Sequence, residues 1–346
     1  MKPARFLSSI AVLLFAVACG KEDASSVAAE GALETLEFRH PGSPGWVTLE
    51  ELAEDLGYLA PVKLKNIGIS TGGPQGIQMV LSGDADISSS SFTGAVVKVV
   101  ASGAPVTAVI AAYGTGMNDL GGYYVLEDSP IHGPRDLIGR KIAVNTHGAQ
   151  MEFMLREYLA RGGLSKAEID SVELVVVPPG STEQVLRQRQ VDVAPFYFGI
   201  GTERGGVRRL FRDYELFGPI TVGAYVMSNR FLAEKPNTAR HVIGGLARAI
   251  EWTKTTPLEE IHARLVHIIE KRQRNENPGM VKFWTGLGLE GSPHGLLEDQ
   301  DFQIWVDWLV KDGQLLPGQV DLRKVYTNAF NPHAAQQAKN TLGRDS

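Results

Sequence analysis

The stretch GGPQGIQMVLSGDADIS, from Gly72 to Ser88, decides the fold because the chain repeats its plan once. A glycine-containing loop leads into a short amphipathic segment, which ends at an Asp followed by a β-rich run. The stretch PGSTEQVLRQRQVDVAP, from Pro179 to Pro195, has the same order of features. Two units of this kind predict two similar sheets that face one another across a cleft.

Outside these two stretches, β-rich runs also alternate with helical patterns. This alternation predicts an α/β fold in which mostly parallel sheets are flanked by helices. Because a β-like run returns late in the chain, we expect the second unit to be inserted into the first. The predicted strands are Leu36 to His40, Val62 to Ser70, Ala85 to Ser88, Val106 to Ala112, Tyr123 to Leu126, Lys141 to Asn145, Val172 to Val177, Val191 to Pro195 and Thr221 to Ser228.

The first 18 residues are similar to a secretory signal peptide, with Lys2 and Arg5 ahead of an apolar run. The run is too short for a membrane-spanning helix, which needs roughly 20 residues. Residues 16–19, AVAC, resemble a bacterial lipobox, which implies lipidation of Cys19. The alternative is an ordinary signal peptide beside an incidental Cys. Residues 19–34 are small and polar and predict a linker.

Composition excludes several classes of function. Cys19 is the one cysteine of the chain, so no intramolecular disulfide and no thiolate metal site can form. Removal of residues 1–18 leaves 32 basic against 39 acidic side chains, a net charge of −7, which argues against nucleic acid as a partner. With 43% apolar residues, a chain of this length predicts two domains.

Several blocks of the chain resemble one family when they are taken in order. They are LEFRHPGSPGW, STGGPQGIQMVLSGDADISSSSFTG, GAPVTAVIA, EDSPIHGPRDLIGRKIAVNTHGAQMEFMLREYLARGGL and VVVPPGSTEQVLRQRQVDVAP. Together they resemble the periplasmic solute-binding proteins of the aliphatic sulfonate, taurine and nitrate type, whose relatives carry thiamine-precursor pyrimidines. The resemblance implies a two-lobed periplasmic binding protein of type II, with a ligand cleft between the lobes.

The resemblance also implies how the chain is divided. We expect a signal peptide at 1–18, a lipid-anchored linker at 19–34, lobe 1 at 35–122, lobe 2 at 123–221, and the rest of lobe 1 with the C-terminal helices at 222–346. The hinge would lie near residues 121–122 and 222–223, where the chain crosses between the lobes.

The function that the resemblance implies is binding rather than catalysis. The protein would be the substrate-binding component of an ABC importer, a monomer that captures a small polar or anionic organic solute by lobe closure. Its partners would be a permease with its ATPase, and the membrane through the lipid anchor at Cys19. We expect it at the periplasmic or extracytoplasmic face of the cell envelope, with no catalytic residue, metal or cofactor.

Ligands of open parallel sheets bind beyond the carboxyl ends of the strands, where helix N-termini favour anions. The loops at these ends therefore supply the predicted ligand-binding residues. In lobe 1 they are Ser43, Trp46, Gly72, Gly73, Gln75, Ser90, Ser91, Thr93 and Asn118, and in lobe 2 they are Thr146, His147, Gly148, Ser181, Phe196 and Tyr197. Ser91 is also the expected N-cap of a helix.

Two departures from the family pattern leave the solute open. The chain has Gly148-Ala149-Gln150 where the family often has Gly-Ser-Ser, and it has the aromatic run 196–198 where a Trp-rich segment is common. These changes leave room for a larger solute, such as an aromatic or pyrimidine-like compound or a metal chelate.

Other functions remain open from the sequence. Residues 68–72, GISTG, match the G-x-S-x-G pattern of a nucleophile elbow, with Ser70 as the nucleophile of a hydrolase. His147 with Glu152 or His132 would be a metal site, although no helical His spacing supports it. A sensory or scaffold lipoprotein is a third possibility. The apolar positions of 261–274 predict an amphipathic surface helix.

Overall fold

A computed structural model gives the structure of residues 31–43, 45–70, 72–116 and 121–335. The predicted signal peptide, Cys19, most of the linker and Asn118 lie outside these described residues. In the part of the chain that is described, no helix is both long and apolar enough to cross a bilayer.

Ten strands carry the fold. They are β1 Glu37–Gly42, β2 Lys63–Ile69, β3 Ser91–Phe92, β4 Val106–Gly114, β5 Gly122–Leu126, β6 Lys141–Val144, β7 Glu173–Val176, β8 Ala194–Phe196, β9 Val207–Phe211 and β10 Thr221–Ser228. Strands β4 and β10 are rich in β-branched and small apolar residues, which suits strands buried on both faces.

Twelve α-helices cover the strands in the described residues. They are α1 Leu49–Asp55, α2 Gly73–Ser82, α3 Thr93–Ala101, α4 Gln150–Arg161, α5 Lys166–Asp170, α6 Thr182–Arg187, α7 Asp213–Phe217, α8 Asn229–Glu234, α9 Pro236–Thr255, α10 Leu258–Lys271, α11 Gln300–Lys311 and α12 Leu322–Val325. The α10 helix confirms the predicted amphipathic helix, because its apolar residues Ile261, Leu265, Ile268 and Ile269 are buried.

The strands of the middle of the chain lie side by side in the order β7-β6-β8-β5-β9. β6 pairs in parallel with β7, and a parallel bridge from Ile142 to Val193 joins it to the chain entering β8. β5 runs antiparallel to both β8 and β9. Most strands of this set are therefore parallel, as predicted, and β5 is reversed where the chain enters the set.

The remaining strands form a second set of similar plan. β1 and β2 pair in parallel, and β10 runs antiparallel to β3 and β4. The backbone of Asp86 and Ser88 joins the two groups, donating hydrogen bonds to Arg39 in β1 and Val226 in β10. Because β10 lies late in the sequence between strands from the beginning, the middle of the chain is an insertion.

The two sequence repeats make equivalent contacts. The Asp86 carboxylate accepts the backbone N–H of Arg39 at 2.8 Å, and the N–H of Asp86 donates to the Arg39 carbonyl at 2.9 Å. Asp192 makes the same pair of bonds with Lys141, at 2.9 and 2.8 Å. Each Asp thus ties the end of its repeat to an earlier strand of its own set, β1 for Asp86 and β6 for Asp192, and the similarity of the two stretches is structural.

The buried apolar side chains follow the same division. One cluster is built from residues 38–112 and 222–325, and two smaller clusters are built from residues 123–211. Phe153 of α4 is the exception, since it packs in the first cluster against Phe92 and Trp305. The α4 helix therefore joins the two parts of the fold.

Two local predictions differ from the structure. Residues 85–88 are not in a regular strand, because their backbone bonds are shared between separate strands. Ser91 is not the N-cap of α3 but lies in β3, and the N-cap is Phe92. The Ser91 hydroxyl instead donates to the carbonyl of Ser89 at 3.0 Å.

Candidate ligand site

Two polar residues lie where neighbouring strands of the middle set end. Asn145 follows β6, and Tyr197 follows β8. Because the bridge between Ile142 and Val193 is parallel, the carboxyl ends of these strands lie at the same edge of the sheet. The two side chains therefore lie at the edge where α/β sheets bind their ligands.

Both residues carry a buried polar atom that has no hydrogen-bond partner among the described residues. These atoms are Oδ1 of Asn145 and the hydroxyl oxygen of Tyr197. Burial raises the pKa of Tyr197, and the nearby phenol of Tyr113 raises it further, so the hydroxyl stays neutral and able to donate. Native proteins pair most buried polar atoms, and an unpaired one costs about 1–3 kcal/mol. Two unpaired buried atoms at one edge of a sheet indicate a binding site for a polar ligand.

A chain of hydrogen bonds crosses between the two strand sets beside this edge. The hydroxyl of Tyr113, in β4, donates to Oε1 of Gln150 at 3.0 Å, and Nε2 of Gln150 donates to Oδ2 of Asp213 at 3.0 Å. An ionised carboxylate only accepts hydrogen bonds, so Asp213 fixes the Gln150 amide with its oxygen toward Tyr113. The start of α4 is thereby held against the end of β4.

Two aromatic rings meet across the same boundary. The rings of Trp46 and Phe198 have centroids 4.6 Å apart at an interplanar angle of 40°. Trp46 follows β1 and Phe198 follows β8, so both belong to loops at strand carboxyl ends. Phe198 adopts a left-handed backbone conformation with φ of 53° and is 36% exposed. The pair forms an apolar rim above the strand ends.

Arg272, just after α10, holds the loop that carries Trp46. One guanidinium nitrogen donates to the carbonyl of Trp46 at 3.0 Å and to Glu51 at 2.8 Å, and the other donates to the carbonyl of Ser43 at 3.3 Å. Arg272 also pairs with Glu276, and its side chain is 9% exposed. Because this guanidinium is buried and hydrogen-bonded on every side, it holds the loop of Trp46 in one position.

The two glycine- and serine-rich loops of the first repeat pack tightly on one another. A Cβ on Gly73 would lie 2.9 Å from Cα of Ser91, and one on Gly76 would lie 2.7 Å from the backbone nitrogen of Ser89. The buried hydroxyls of Ser91 and Thr93 reach the protein's own carbonyls. These glycines are thus needed for close packing, and the two hydroxyls have structural partners.

The other predicted ligand-binding residues have varied surroundings. Phe196 is 1% exposed and stacks on Tyr124 at 4.9 Å, so its ring is part of a core. Gly72 accepts a hydrogen bond from Ser70, and Asn118 lies outside the described residues. Gln75, Ser90 and His147 are exposed, and Ser43, Thr146, Gly148 and Ser181 are half-buried.

His147 and Gly148 do not lie on the Tyr113 side of α4. Nδ1 of His147 is 3.6 Å from the carboxylate of Glu152, and the N–H of Gly148 donates to that carboxylate at 2.9 Å. A Cβ on Gly148 would lie 4.0 Å from Nζ of Lys98. The start of α4 therefore has two polar faces, one toward Tyr113 and one toward Lys98.

The contacts of Ser70 do not form a nucleophile elbow. Its hydroxyl donates to the carbonyl of Gly72 at 2.9 Å and lies 3.0 Å from the hydroxyl of Ser89. Neither group is a base that would take the proton of a nucleophile. Across the described ranges, no three His, Cys, Asp or Glu side chains are grouped so as to hold a metal ion.

Sequence reasoning missed Tyr113, Asn145 and Asp213. Tyr113 and Asn145 stand at the carboxyl ends of correctly predicted strands, so extending the ligand search by one residue into each strand end would have found them. Asp213 opens a five-residue helix that the sequence did not reveal.

The comparisons with known proteins agree with this architecture. A family model described as NMT1/THI5 like matches residues 52–260, which is 209 of 346 residues. A search of the curated proteins gives no match.

Solved structures share the fold at low identity. A protein of Bordetella bronchiseptica RB50 has a TM-score of 0.69 and 22% identity, over 89% of this chain and 100% of that one. The alkanesulfonate-binding protein SsuA of Xanthomonas axonopodis pv. citri, bound to MOPS, has a TM-score of 0.63 and 20% identity, over 86% of this chain and 99% of that one. The periplasmic nitrate-binding protein NrtA of Synechocystis PCC 6803 has a TM-score of 0.65 and 14% identity, over 89% of this chain and 90% of that one.

These likenesses confirm the predicted periplasmic binding protein fold. The family model covers the first repeat, the whole middle set of strands and all of α9. Since it matches more than half of the chain, the protein belongs to the NMT1/THI5-like family.

Proposed function

We propose that the protein is the substrate-binding component of an ABC importer. Its solute would lie between lobe 1, residues 35–122 with 222–346, and lobe 2, residues 123–221. The Tyr113–Gln150 hydrogen bond and the Trp46–Phe198 contact join these parts and mark the line along which they close. The crossings near 121–122 and 222–223 would act as the hinge.

The observation that carries this proposal is the pair of unpaired buried atoms at one sheet edge. Asn145 Oδ1 accepts hydrogen bonds and the Tyr197 hydroxyl can donate one. A small polar or anionic organic solute with a donor and an acceptor would satisfy both. The names of similar structures, an alkanesulfonate-binding and a nitrate-binding protein, support a solute of this size and polarity.

The rest of the proposal concerns location and partners. The lipid at Cys19 would anchor the protein at the extracytoplasmic side of a membrane, where it would act as a monomer. A permease and its ATPase would take up the solute. The proposed role is non-catalytic, and the contacts of Ser70 with a carbonyl and a second hydroxyl support this.

The test is a thermal-shift screen of the purified protein with alkanesulfonates, taurine, nitrate, pyrimidines and aromatic acids. A true solute binds only the folded state and adds about 2.7 kcal/mol of stability at a hundred times its Kd. Tyr197→Phe should weaken binding of the hit at least tenfold, because it removes a donor. Tyr58→Phe, whose ring packs under Arg248, is the matched control and should bind as the wild type does.

Two results would contradict the proposal. One is a panel without any shift, combined with ester turnover that Ser70→Ala abolishes, which would make the protein a hydrolase. The other is a hit whose affinity Tyr197→Phe and Tyr58→Phe change equally, which would place the solute elsewhere.

A further inference from the structure

A second groove lies on the other face of the α4 N-terminus. Its volume is about 190 Å³. One wall comes from α3, α11 and the turn after α11, and the other from the start of α4. The lining residues are Lys98, His147, Gly148, Glu152, Phe153, Arg156, Trp308 and Gln314.

This groove is separate from the candidate ligand site. Gln150 directs its amide toward Tyr113 and Asp213, whereas His147 and Glu152 face Lys98 and Trp308. None of the polar atoms assigned to the solute, on Asn145, Tyr197 or Tyr113, belongs to the residues that line the groove.

The acidic side chain that lines the groove, Glu152, already has hydrogen-bond and ion-pair partners. Glu152 accepts hydrogen bonds from Nε of Arg156 at 2.7 Å and from the N–H of Gly148 at 2.9 Å. Although burial opposes it, these bonds hold the pKa of Glu152 below its usual value. Arg156 also donates to Asp170 at 3.0 Å. Glu152 and Arg156 therefore satisfy one another without a ligand, and Nδ1 of His147 lies 3.6 Å from the Glu152 carboxylate at the edge of this network.

Lys98 is a second cation of the groove and takes no part in the Glu152–Arg156 pair. Its Nζ donates to Oε1 of Gln314 at 2.8 Å, and no carboxylate among the described residues lies within ion-pair distance of it. The side chain is half-buried in α3. A neutral amide does not offset the ammonium charge, so the charged side chains that line the groove, Lys98, Arg156 and Glu152, carry a net charge of +1 beside the exposed His147.

The floor of the groove is aromatic. Phe153 and Trp308 have ring centroids 4.3 Å apart at 46°. Phe153 is 2% exposed, whereas Trp308 is half-buried and presents part of its indole to the groove. A flat apolar body would gain by lying on this indole.

We propose that this groove is a second binding site, which takes a small aromatic carboxylate. The carboxylate meets Lys98 and His147, and the ring of the ligand lies on Trp308. This inference does not rest on the proposed transport function. Because one wall comes from α3 and α11 and the other from α4, an occupant holds these elements together and stabilises that arrangement of the chain.

The test is isothermal titration of the full chain with sodium benzoate, and with neutral benzamide as the matched ligand. We expect benzamide to bind at least tenfold more weakly than benzoate. Lys98→Met should weaken benzoate binding at least tenfold, Lys98→Arg should restore most of it, and Trp308→Ala should weaken both ligands. Lys63→Met, on the exposed strand β2, is the control and should stay within twofold of the wild type.

Folding of each variant is checked first by its melting temperature, and Lys98→Arg keeps the charge test valid if Lys98→Met is unstable. Equal affinity for benzoate and benzamide would overturn the proposal, as would unchanged benzoate binding in Lys98→Met. If Tyr197→Phe abolished benzoate binding while Lys98→Met retained it, benzoate would lie in the candidate ligand site. The groove proposal would then fail while the proposed transport function stood.

Discussion

The indole of Trp46 and the phenyl ring of Phe198 are in contact, with centroids 4.6 Å apart, although the residues belong to loops of different strand sets. Arg272 fixes the loop of Trp46 through two of its carbonyls. On the other side, Lys282 pairs with Glu203 at 2.8 Å, so the loop of Phe198 has a second contact with the first set. The aromatic contact therefore joins the rigid loop of Trp46 to a loop in which several residues adopt a left-handed backbone conformation.

We expect Trp46 and Phe198 to be energetically coupled. In a double-mutant cycle of Trp46→Ala and Phe198→Ala, urea unfolding should give a coupling of about 0.5–1.5 kcal/mol, the range of aromatic pairs. Leu316, which is 73% exposed, supplies the control. Trp46→Ala with Leu316→Ala should be additive within about 0.5 kcal/mol. A Trp46–Phe198 cycle that is equally additive would mean that the contact does not hold the two parts together.

The two repeat aspartates should differ in their effect on stability. The Asp86 side chain is 3% exposed and takes two bonds from the Arg39 guanidinium, whereas that of Asp192 is 37% exposed, with Arg140 at 3.6 Å. Asp86→Ala should lower the free energy of unfolding by about 3 kcal/mol, because it strands a partly buried charge. Asp192→Ala should lower it by about 1 kcal/mol. Equal losses in urea unfolding would show that the Arg39 pair adds nothing.

Asp301 should make stability depend on pH. It is 2% exposed, and burial raises its pKa from 3.8 to about 6, despite its bonds from the N–H groups of Thr221 and Glu298. A raised folded-state pKa gives stability that is complete below pH 3.8 and is lost as the pH rises through about 6. This shift corresponds to about 3 kcal/mol.

The measurement is urea unfolding of the wild type and Asp301→Asn between pH 4 and pH 7. The wild type should lose about 2 kcal/mol relative to the variant over this range, because Asn does not titrate. Asp307 is an exposed position of the same helix, so the free energy of unfolding of Asp307→Asn should change with pH as that of the wild type does. A constant difference between wild type and Asp301→Asn would disprove the assignment.

Glu34 should stabilise the N-terminus of α9. Its carboxylate accepts the N–H groups of Asn237 at 3.0 Å and Thr238 at 2.8 Å, and the Thr238 hydroxyl at 2.8 Å. These bonds lower its pKa from 4.5 to about 2, although burial opposes them. The stabilisation is thus present above pH 4.5 and is lost as the pH falls through about 2.

Glu34→Ala should cost about 1 kcal/mol at pH 7, the usual value of a lost helix cap. Thermal melts of wild type and variant should converge as the pH falls through about 2. Glu37→Ala is the control, because Glu37 makes an exposed ion pair with Lys65. If both variants melted at the same temperature at pH 7, Glu34 would not act as a cap.

Much of the architecture could be predicted because local patterns decide it. The repeat of glycine loop, helix and Asp predicted two equivalent units, and Asp86 and Asp192 do make equivalent contacts. The late β-run from Thr221 to Ser228 has the predicted bounds and pairs with strands from the start of the chain. These elements follow from hydrophobic period and turn residues, which a sequence displays directly.

The contacts of individual side chains could not be predicted in this way, because side-chain direction depends on packing. Phe196 and Tyr197 are adjacent aromatic residues in the sequence, yet Phe196 stacks inside a core while Tyr197 brings its hydroxyl to the strand ends. Ser91 and Thr93 form part of a hydroxyl run, and both are turned inward to backbone carbonyls. No spacing along the chain distinguishes these outcomes.

The sequence by itself determined the α/β alternation, the insertion of one unit in the other and the strand ends at which a ligand site would form, since each depends on residues close in the chain. Only the tertiary structure decided which polar groups meet there. Tyr113 reaches Gln150 across 37 positions and Gln150 reaches Asp213 across 63, because the two strand sets are folded against one another. The same folding separates Lys98 and His147 from Tyr113 and Gln150, and gives the start of α4 its two different polar faces.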